Sequence, residues 1–311
     1  MFAELFSRSG LSLDRLRSFL AIADAGSIVR AALGDPVRQS LFSRQVRELE
    51  EFFGAELTRR HGKTIALSPA GHRLAELVRS QLQDLDDFRR EQAGLAKTFT
   101  IASGGSMIEW VVVPTLAESA RLLGGASLRL QTMRSRDLVT AVRNGGIDFA
   151  LVREDALPAD ARRHRVLRNE FYLCVPKKIA GGKSAEEIGH RAFWSRVAMA
   201  VPAAGSRFQE AFSTGLERLN ASVRTVVECH SHLQARALVE CGQCAAVLPT
   251  VGLRALRELG VTVLPFAPLK GIGRWLVLHW NERQMQRRAV PAEAIRKLAV
   301  LWRPRAVPHG K

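Results

Sequence analysis

The apolar pattern of this 311-residue chain predicts a small all-α N-terminal domain, a long connecting helix and a larger α/β domain. Three observations carry that reading. Residues 37–54 set Phe42, Val46, Leu49 and Phe53 at spacings of four, three and four, the stripe by which an amphipathic helix seals a core. Residues 69–96 continue a helical pattern without a break. From Thr98 onward, short apolar runs alternate with helical stretches, the rhythm of strands flanked by helices.

Residues 1–12 read as a short tail. Leu13, Leu16, Phe19, Leu20 and Ala23 then fall at helical spacing over 13–25, with Gly26 closing the helix. Ser27 is expected to cap a second helix, 28–33, which Gly34-Asp35-Pro36 cuts short. With the helix at 37–53, three short helices joined by tight turns make a helix-turn-helix. On the side of the third helix away from its stripe, Ser40, Arg44 and Arg47 line up with Ser43 and Gln39 beside them. These are donors and acceptors suited to phosphates and base edges. The acids Glu48, Glu50 and Glu51 come only later, so the positive end is the one such a motif lays in a major groove.

Leu57 to Arg60, a turn at His61-Gly62-Lys63, and Ile65 to Leu67 read as a hairpin. Its basic tip suits a wing along a phosphate backbone; a surface hairpin with scattered charge is the alternative. Ser68 caps the next helix and Pro69 occupies its first turn. Leu74, Leu77, Val78, Leu82, Leu85 and Phe88 fall on one side, a narrow stripe that pairs with a second copy or packs on the larger domain.

In the remainder, strands are expected at 98–102, 127–132, 147–152, 171–176, 196–201, 223–228, 245–248, 261–265 and 275–280. Helices are expected at 106–123, 135–144, 184–190, 206–219, 231–241, 250–258 and 291–302. Alternation of this kind predicts parallel sheets with ligands at the carboxyl ends of the strands. The runs 171–176 and 261–265 are the expected crossings between two lobes.

The net charge is +16, yet residues 1–98 hold 15 basic against 13 acidic residues, so the excess lies in 99–311. Bulk charge therefore does not locate a DNA site; the residue pattern does. No segment is long and apolar enough to cross a bilayer, and the start lacks a secretory signal, which points to a cytoplasmic protein. Four cysteines, Cys174, Cys229, Cys241 and Cys244, are too few for a disulfide-stapled fold.

Phe19, the run Gly26 to Ala32, Ser43-Arg44-Gln45-Val46, Leu49-Glu50, Phe53-Gly54, Leu57 and Ser68-Pro69-Ala70-Gly71 resemble, without a gap, the N-terminal pattern of the LysR-type transcriptional regulators. Farther on the similarity is carried by Gly146 to Ala150, and by Val239 to Gly242 leading to Leu248-Pro249. The resemblance implies a winged helix-turn-helix over 13–68, a dimerising linker helix over 69–97, and a two-lobed, periplasmic-binding-protein-like α/β effector domain over 98–303. Lobe I then covers about 98–175 and 266–303, lobe II about 176–265, and 304–311 is a disordered tail. It further implies a homodimer or homotetramer that binds double-stranded DNA and responds to a small effector. Asp35, Arg38, Ser40 and Thr58 depart from the usual pattern, so an operator sequence does not carry over.

Gln39, Ser40, Ser43 and Arg44 are the expected base contacts, and Arg30, Arg38, Arg47, Arg59, Arg60 and Lys63 the expected phosphate contacts. The alternative is an exposed charged helix face. For an anionic effector, Ser103, Gly105 and Ser106 follow the first strand of the α/β domain, and Thr132, Arg153, Pro202 and Ala203 end others. Arg153 is the expected counter-ion; ordinary glycine turns and helix caps are the alternative. Trp110 either floors the pocket or belongs to the core. Cys241-Gly242-Gln243-Cys244, with His230 and His232 beside Cys229, leaves open a thiol- or metal-responsive regulator, although zinc spacing is missing. The reading requires no cofactor, metal or catalysis. Its rivals are a two-lobed enzyme, which leaves the 27–71 pattern unexplained, and a solute-binding transport component, against which the missing secretory signal and the N-terminal helices both count.

Overall fold

Polar caps and glycine stops set out the N-terminal helices of the computed structural model, which describes residues 2–61 and 64–304. These are α1 (Ala3–Ser7), α2 (Leu13–Ala25), α3 (Ile28–Ala31) and α4 (Pro36–Phe53), followed by the antiparallel hairpin β1 (Thr58–His61) and β2 (Thr64–Leu67). Gly26 ends α2 at φ +62°, its N–H bonded to the Ile22 carbonyl. Ser27 is buried and makes no side-chain capping bond, contrary to expectation. Asp35 caps the next helix instead: its carboxylate accepts from the amides of Val37 and Arg38, and Pro36 takes the first helical position.

The domain core joins Phe19 and Ile22 of α2 to Val46 and Leu49 of α4 and to Leu57. Phe52 is buried and Phe53 is 39 % exposed, the reverse of the expected stripe. The reason lies in the supposed tail. Gly10 lies so close to α4 that an added Cβ would stand 3.2 Å from Phe52 Cβ, so the segment before α2 covers that side of the helix.

Glu50 fixes the hairpin, its Oε1 accepting from the Leu57 amide (2.8 Å) and the Thr58 amide (3.0 Å). Ser68 then caps α5 (Pro69–Gln92), accepting from the Gly71 amide at 3.0 Å. A Cβ on Gly71 would lie 2.0 Å from the Leu57 carbonyl oxygen, so only glycine lets α5 sit against the hairpin. The helix stops at Gln92, short of residue 96. Its apolar residues divide: Leu74, Val78 and Leu82 pack into the N-terminal core, whereas Leu77, Leu85 and Phe88 are each more than half exposed.

Beyond the linker lie β3 (Thr98–Ser103), β4 (Ser127–Thr132), β5 (Phe149–Arg153), β6 (Arg163–Asn169), β7 (Phe171–Pro176), β8 (Ala198–Pro202), β9 (Arg224–Cys229), β10 (Ala245–Pro249), β11 (Val261–Pro265) and β12 (Arg274–Trp280). They form two five-stranded sheets, ordered β4-β3-β5-β12-β6 and β11-β7-β10-β8-β9. Neither sheet is wholly parallel: β12 runs antiparallel to β5 and β6, and β7 antiparallel to β10 and β11. Strand β6 was not expected, because its arginines and histidine hide the apolar pair Val166 and Leu167.

The lobes divide at Glu170, between β6 and β7, so 171–176 belongs wholly to lobe II rather than closing lobe I. The crossing is tied to lobe II by the Thr250 amide bonding the Glu170 carbonyl at 2.8 Å, and by the Glu170 amide bonding Thr250 Oγ1 at 3.0 Å. Two expected helices are broken. Residues 105–122 pass through a π-helical turn (Ile108–Val112) and a 3₁₀ turn at Pro114, and 250–258 holds only the 3₁₀ turn Thr250–Leu253. The end of the expected tail, 305–311, lies outside the described residues. Among those described, no helix is long and apolar enough to cross a membrane.

Gly71→Ala is expected to destabilise the N-terminal domain by about 1–3 kcal/mol, the cost of overpacking against rigid backbone. Urea unfolding followed by circular dichroism measures it; an unchanged midpoint refutes the contact.

Candidate nucleic-acid interface and effector cleft

Because α4 buries Val46, Leu49 and Phe52, its opposite face is left to solvent. Ser40, Ser43, Arg44 and Arg47 are all exposed there, Gln39 is half-buried, and Arg38 and Arg30 are exposed beside them. Arg38 Nε stands 3.7 Å from Asp35 Oδ2 and Arg44 Nε 3.7 Å from Glu48 Oε1. Such exposed pairs contribute little and exchange readily for a phosphate. Glu48 is itself held by Arg15 of α2, which draws that acid toward the helical core. Arg59 is exposed on β1, paired with Glu56 at 3.2 Å. The Arg60 side chain and Lys63 lie outside the described residues.

In lobe I, β3 pairs β4 with Ser103 opposite Thr132, and the Met133 amide bonds the Ser103 carbonyl at 2.9 Å. Thr132 Cγ2 lies 3.8 Å from where a Cβ on Gly105 would stand. Gly105 and Thr132 therefore lie side by side at the carboxyl end of β3 and β4. Ser103 does not join them as a hydroxyl donor: it is buried and donates to the Leu151 carbonyl at 2.6 Å. Sequence could not show this, because the last three residues of β3 are buried on both faces of the sheet, so alternation does not mark which of them faces solvent. Arg153 ends β5 at the same edge. Its Nε lies 3.2 Å from Asp155 Oδ1 without hydrogen-bond alignment, so the expected counter-ion already faces an acid.

The opposite lip belongs to lobe II. Ala203 is buried with its amide committed to the Cys229 carbonyl at 2.9 Å, and Pro202 has no amide, so neither donates to an anion. Ser206, exposed, caps the next helix by accepting from Gln209. Helix His232–Glu240 approaches Gly105–Met107 across the cleft. Trp110 of lobe I also crosses: Gly252 leaves space for its ring, which a Cβ there would meet at 2.7 Å, and the Arg236 guanidinium lies 5.5 Å over it. Trp110 is thus a contact between lobes as well as a flank of the lobe I core.

Three of the four thiols are not set up to react. Cys174, Cys229 and Cys244 are buried in one cluster. Burial pushes Cys174 up to about 12 and raises Cys229 and Cys244, so all three stay protonated at neutral pH. Cys241 is exposed and free. His232 sits edge-on to Phe208, ring centroids 4.6 Å apart, where burial lowers its pKa to about 4 and keeps it neutral.

The structure adds a group of which only Asp148, in the run Gly146 to Ala150, falls within a quoted motif. Arg288, buried, donates from Nε (2.8 Å) and Nη2 (2.9 Å) to Asp87 of α5, and from Nη1 to Asp148 Oδ1 at 2.6 Å. Nη2 also reaches the Thr98 carbonyl at 2.7 Å, and the guanidinium lies 4.0 Å over the Phe99 ring. Asp148 accepts further bonds from Gln284 and the Thr100 amide. Burial raises its pKa, against the opposing pull of Arg288. In sequence these are one cation among many and one acid of a charged helix, with nothing to mark them as buried.

Residues 13–72 match the bacterial regulatory helix-turn-helix protein family of the lysR type, and residues 92–294 match the LysR substrate binding domain. A probable hydrogen peroxide-inducible genes activator of Mycobacterium xenopi is 31 % identical over 172 residues, which cover 53 % of this chain and 89 % of that protein. The HTH-type transcriptional regulator DgdR of Burkholderia cepacia is 25 % identical over 266 residues, 84 % of this chain and 86 % of its own. Among solved structures, a full-length single-residue variant of OxyR from Pseudomonas aeruginosa superposes with a TM-score of 0.57 at 21 % identity, covering 95 % of this chain and 99 % of that one.

Arg288→Met leaves two carboxylates buried without a counter-ion, and a loss of about 3–5 kcal/mol is expected. Without the cation, the folded-state pKa of Asp148 rises further above its unfolded value. The folded form then binds more protons, so the deficit shrinks as pH falls from 8 toward 5. Urea midpoints of the variant at the two pH values check the sign; a constant deficit contradicts it.

Proposed function

The chain belongs to the LysR family of transcriptional regulators, and on that premise we propose that it binds an operator through α4 under the control of a small anionic effector held between the lobes. The observation that carries the DNA reading is the joint exposure of Ser40, Ser43, Arg44 and Arg47 opposite a helix face sealed by Val46, Leu49 and Phe52. Arg44 and Gln39 each have the geometry to bond one base in two places, while Arg30, Arg38, Arg47 and the wing residues Arg59, Arg60 and Lys63 suit phosphates. The exposed Leu77, Leu85 and Phe88 of the linker support pairing with a second copy of α5 into a homodimer or a larger assembly.

For the effector, Gly105, Ser106, Thr132 and Arg153 at the lobe I lip are the contacts favoured. A free carboxylate would compete with Asp155 for Arg153 and meet first-turn amides that a helix cannot pair internally. Ser206 joins them from lobe II in place of Ala203. The protein acts in the cytoplasm by binding rather than catalysis.

Arg44→Ala is expected to cost about 1–3 kcal/mol on a selected operator and to blur its sequence, whereas Arg59→Ala lowers affinity for all sequences about equally. Binding titrations at fixed salt separate the two, and parent-like behaviour of both variants sinks the assignment. For the cleft, a melting screen of the full chain against small carboxylates should yield at least one that raises the midpoint with concentration, an effect lost in Arg153→Ala. A shift that persists in that variant moves the ligand elsewhere.

A further inference from the structure

We propose that Val37 and Leu41 read thymine through apolar contact with its C5 methyl group, an inference that rests on the DNA-binding reading above and adds to its polar contacts. The two residues lie four apart, one turn of α4, and are 77 % and 38 % exposed. Neither is spare core, because the helix buries a different side through Val46, Leu49 and Phe52, with Phe42 partly buried behind them. A lone exposed aliphatic residue needs no explanation. Two on successive turns of a helix end that also carries Arg38, Ser40 and Arg44, all exposed, form an apolar ridge inside a cationic frame.

That frame selects the partner. Arg38 and Arg44 are held only by single acids 3.7 Å away, and Arg30 and Arg47 have no acidic partner among the described residues. The surroundings therefore favour a polyanion, and the ridge requires an apolar group recessed within it. The major groove of DNA offers such a group in the thymine methyl, beside the base edges that Ser40 and Arg44 are suited to bond. Phosphate contact alone has no use for aliphatic side chains, which would be desolvated against charge.

The test uses the full chain and an operator selected by it from random duplexes at fixed salt, resynthesised with uracil replacing thymine one position at a time. Removing the methyl at one or two thymines of each half-site is expected to weaken binding about 3- to 10-fold, the size of one buried methyl group. Leu41→Ala or Val37→Ala, with unchanged helix content and melting, should bind the thymine and uracil forms alike at those positions. The uracil series needs no variant, so a folding defect in either substitution leaves the test standing. A parent indifferent to every methyl overturns the inference while leaving the operator reading intact, and so does a thymine preference that survives in both variants. A parent that selects no sequence at all removes the operator reading and the inference together.

Discussion

A guanidinium enclosed by two carboxylates joins the linker to the effector domain. Arg288 bonds Asp87 of α5 with two nitrogens and Asp148 of lobe I with the third, and the Thr98 carbonyl and Phe99 ring complete its surroundings. A buried cation of this kind has no neutral alternative, since arginine does not give up its proton. Any rotation of α5 against lobe I therefore has to replace several charge-assisted bonds at once. The Arg79 contact to the Asn144 carbonyl at 3.1 Å adds a second tie along the same helix. The linker is thus tied to lobe I at two points along α5.

The linker has a distinct role on each side. Leu74, Val78 and Leu82 close the core under the recognition helix, Asp87 enters lobe I, and Leu77, Leu85 and Phe88 remain outside. One helix is thus shared between the helix-turn-helix domain and lobe I and keeps an apolar edge exposed. Gly71 makes its first turn possible, because a side chain there would meet the Leu57 carbonyl.

The cleft follows a different logic. Its two lobes meet through Trp110, Gly252 and Arg236 as well as the crossing at Glu170. In lobe I, Ile101 pairs with Phe149, next to Asp148, and Phe99 packs on Phe149 with ring centroids 6.0 Å apart.

The helix-turn-helix, the exposed polar face of α4, the cap and start of α5, and the α/β character of the remainder are legible in the order of residues alone. Each of these is local: helical periodicity, proline and glycine stops, and cap chemistry act within a few residues. Long-range contacts, by contrast, bury Phe52 rather than Phe53, commit Ser103 and Ala203 inside the sheets, give β7 to lobe II and set Arg288 against α5. Those outcomes depend on what arrives from far along the chain. Gly10 covers Phe52, Leu151 takes the Ser103 hydroxyl, β10 and β11 flank β7, and Asp87 meets a residue some two hundred positions away. Periodicity tells which face of an element is apolar; which neighbour covers that face, and which charge is buried against it, is fixed only when distant segments meet.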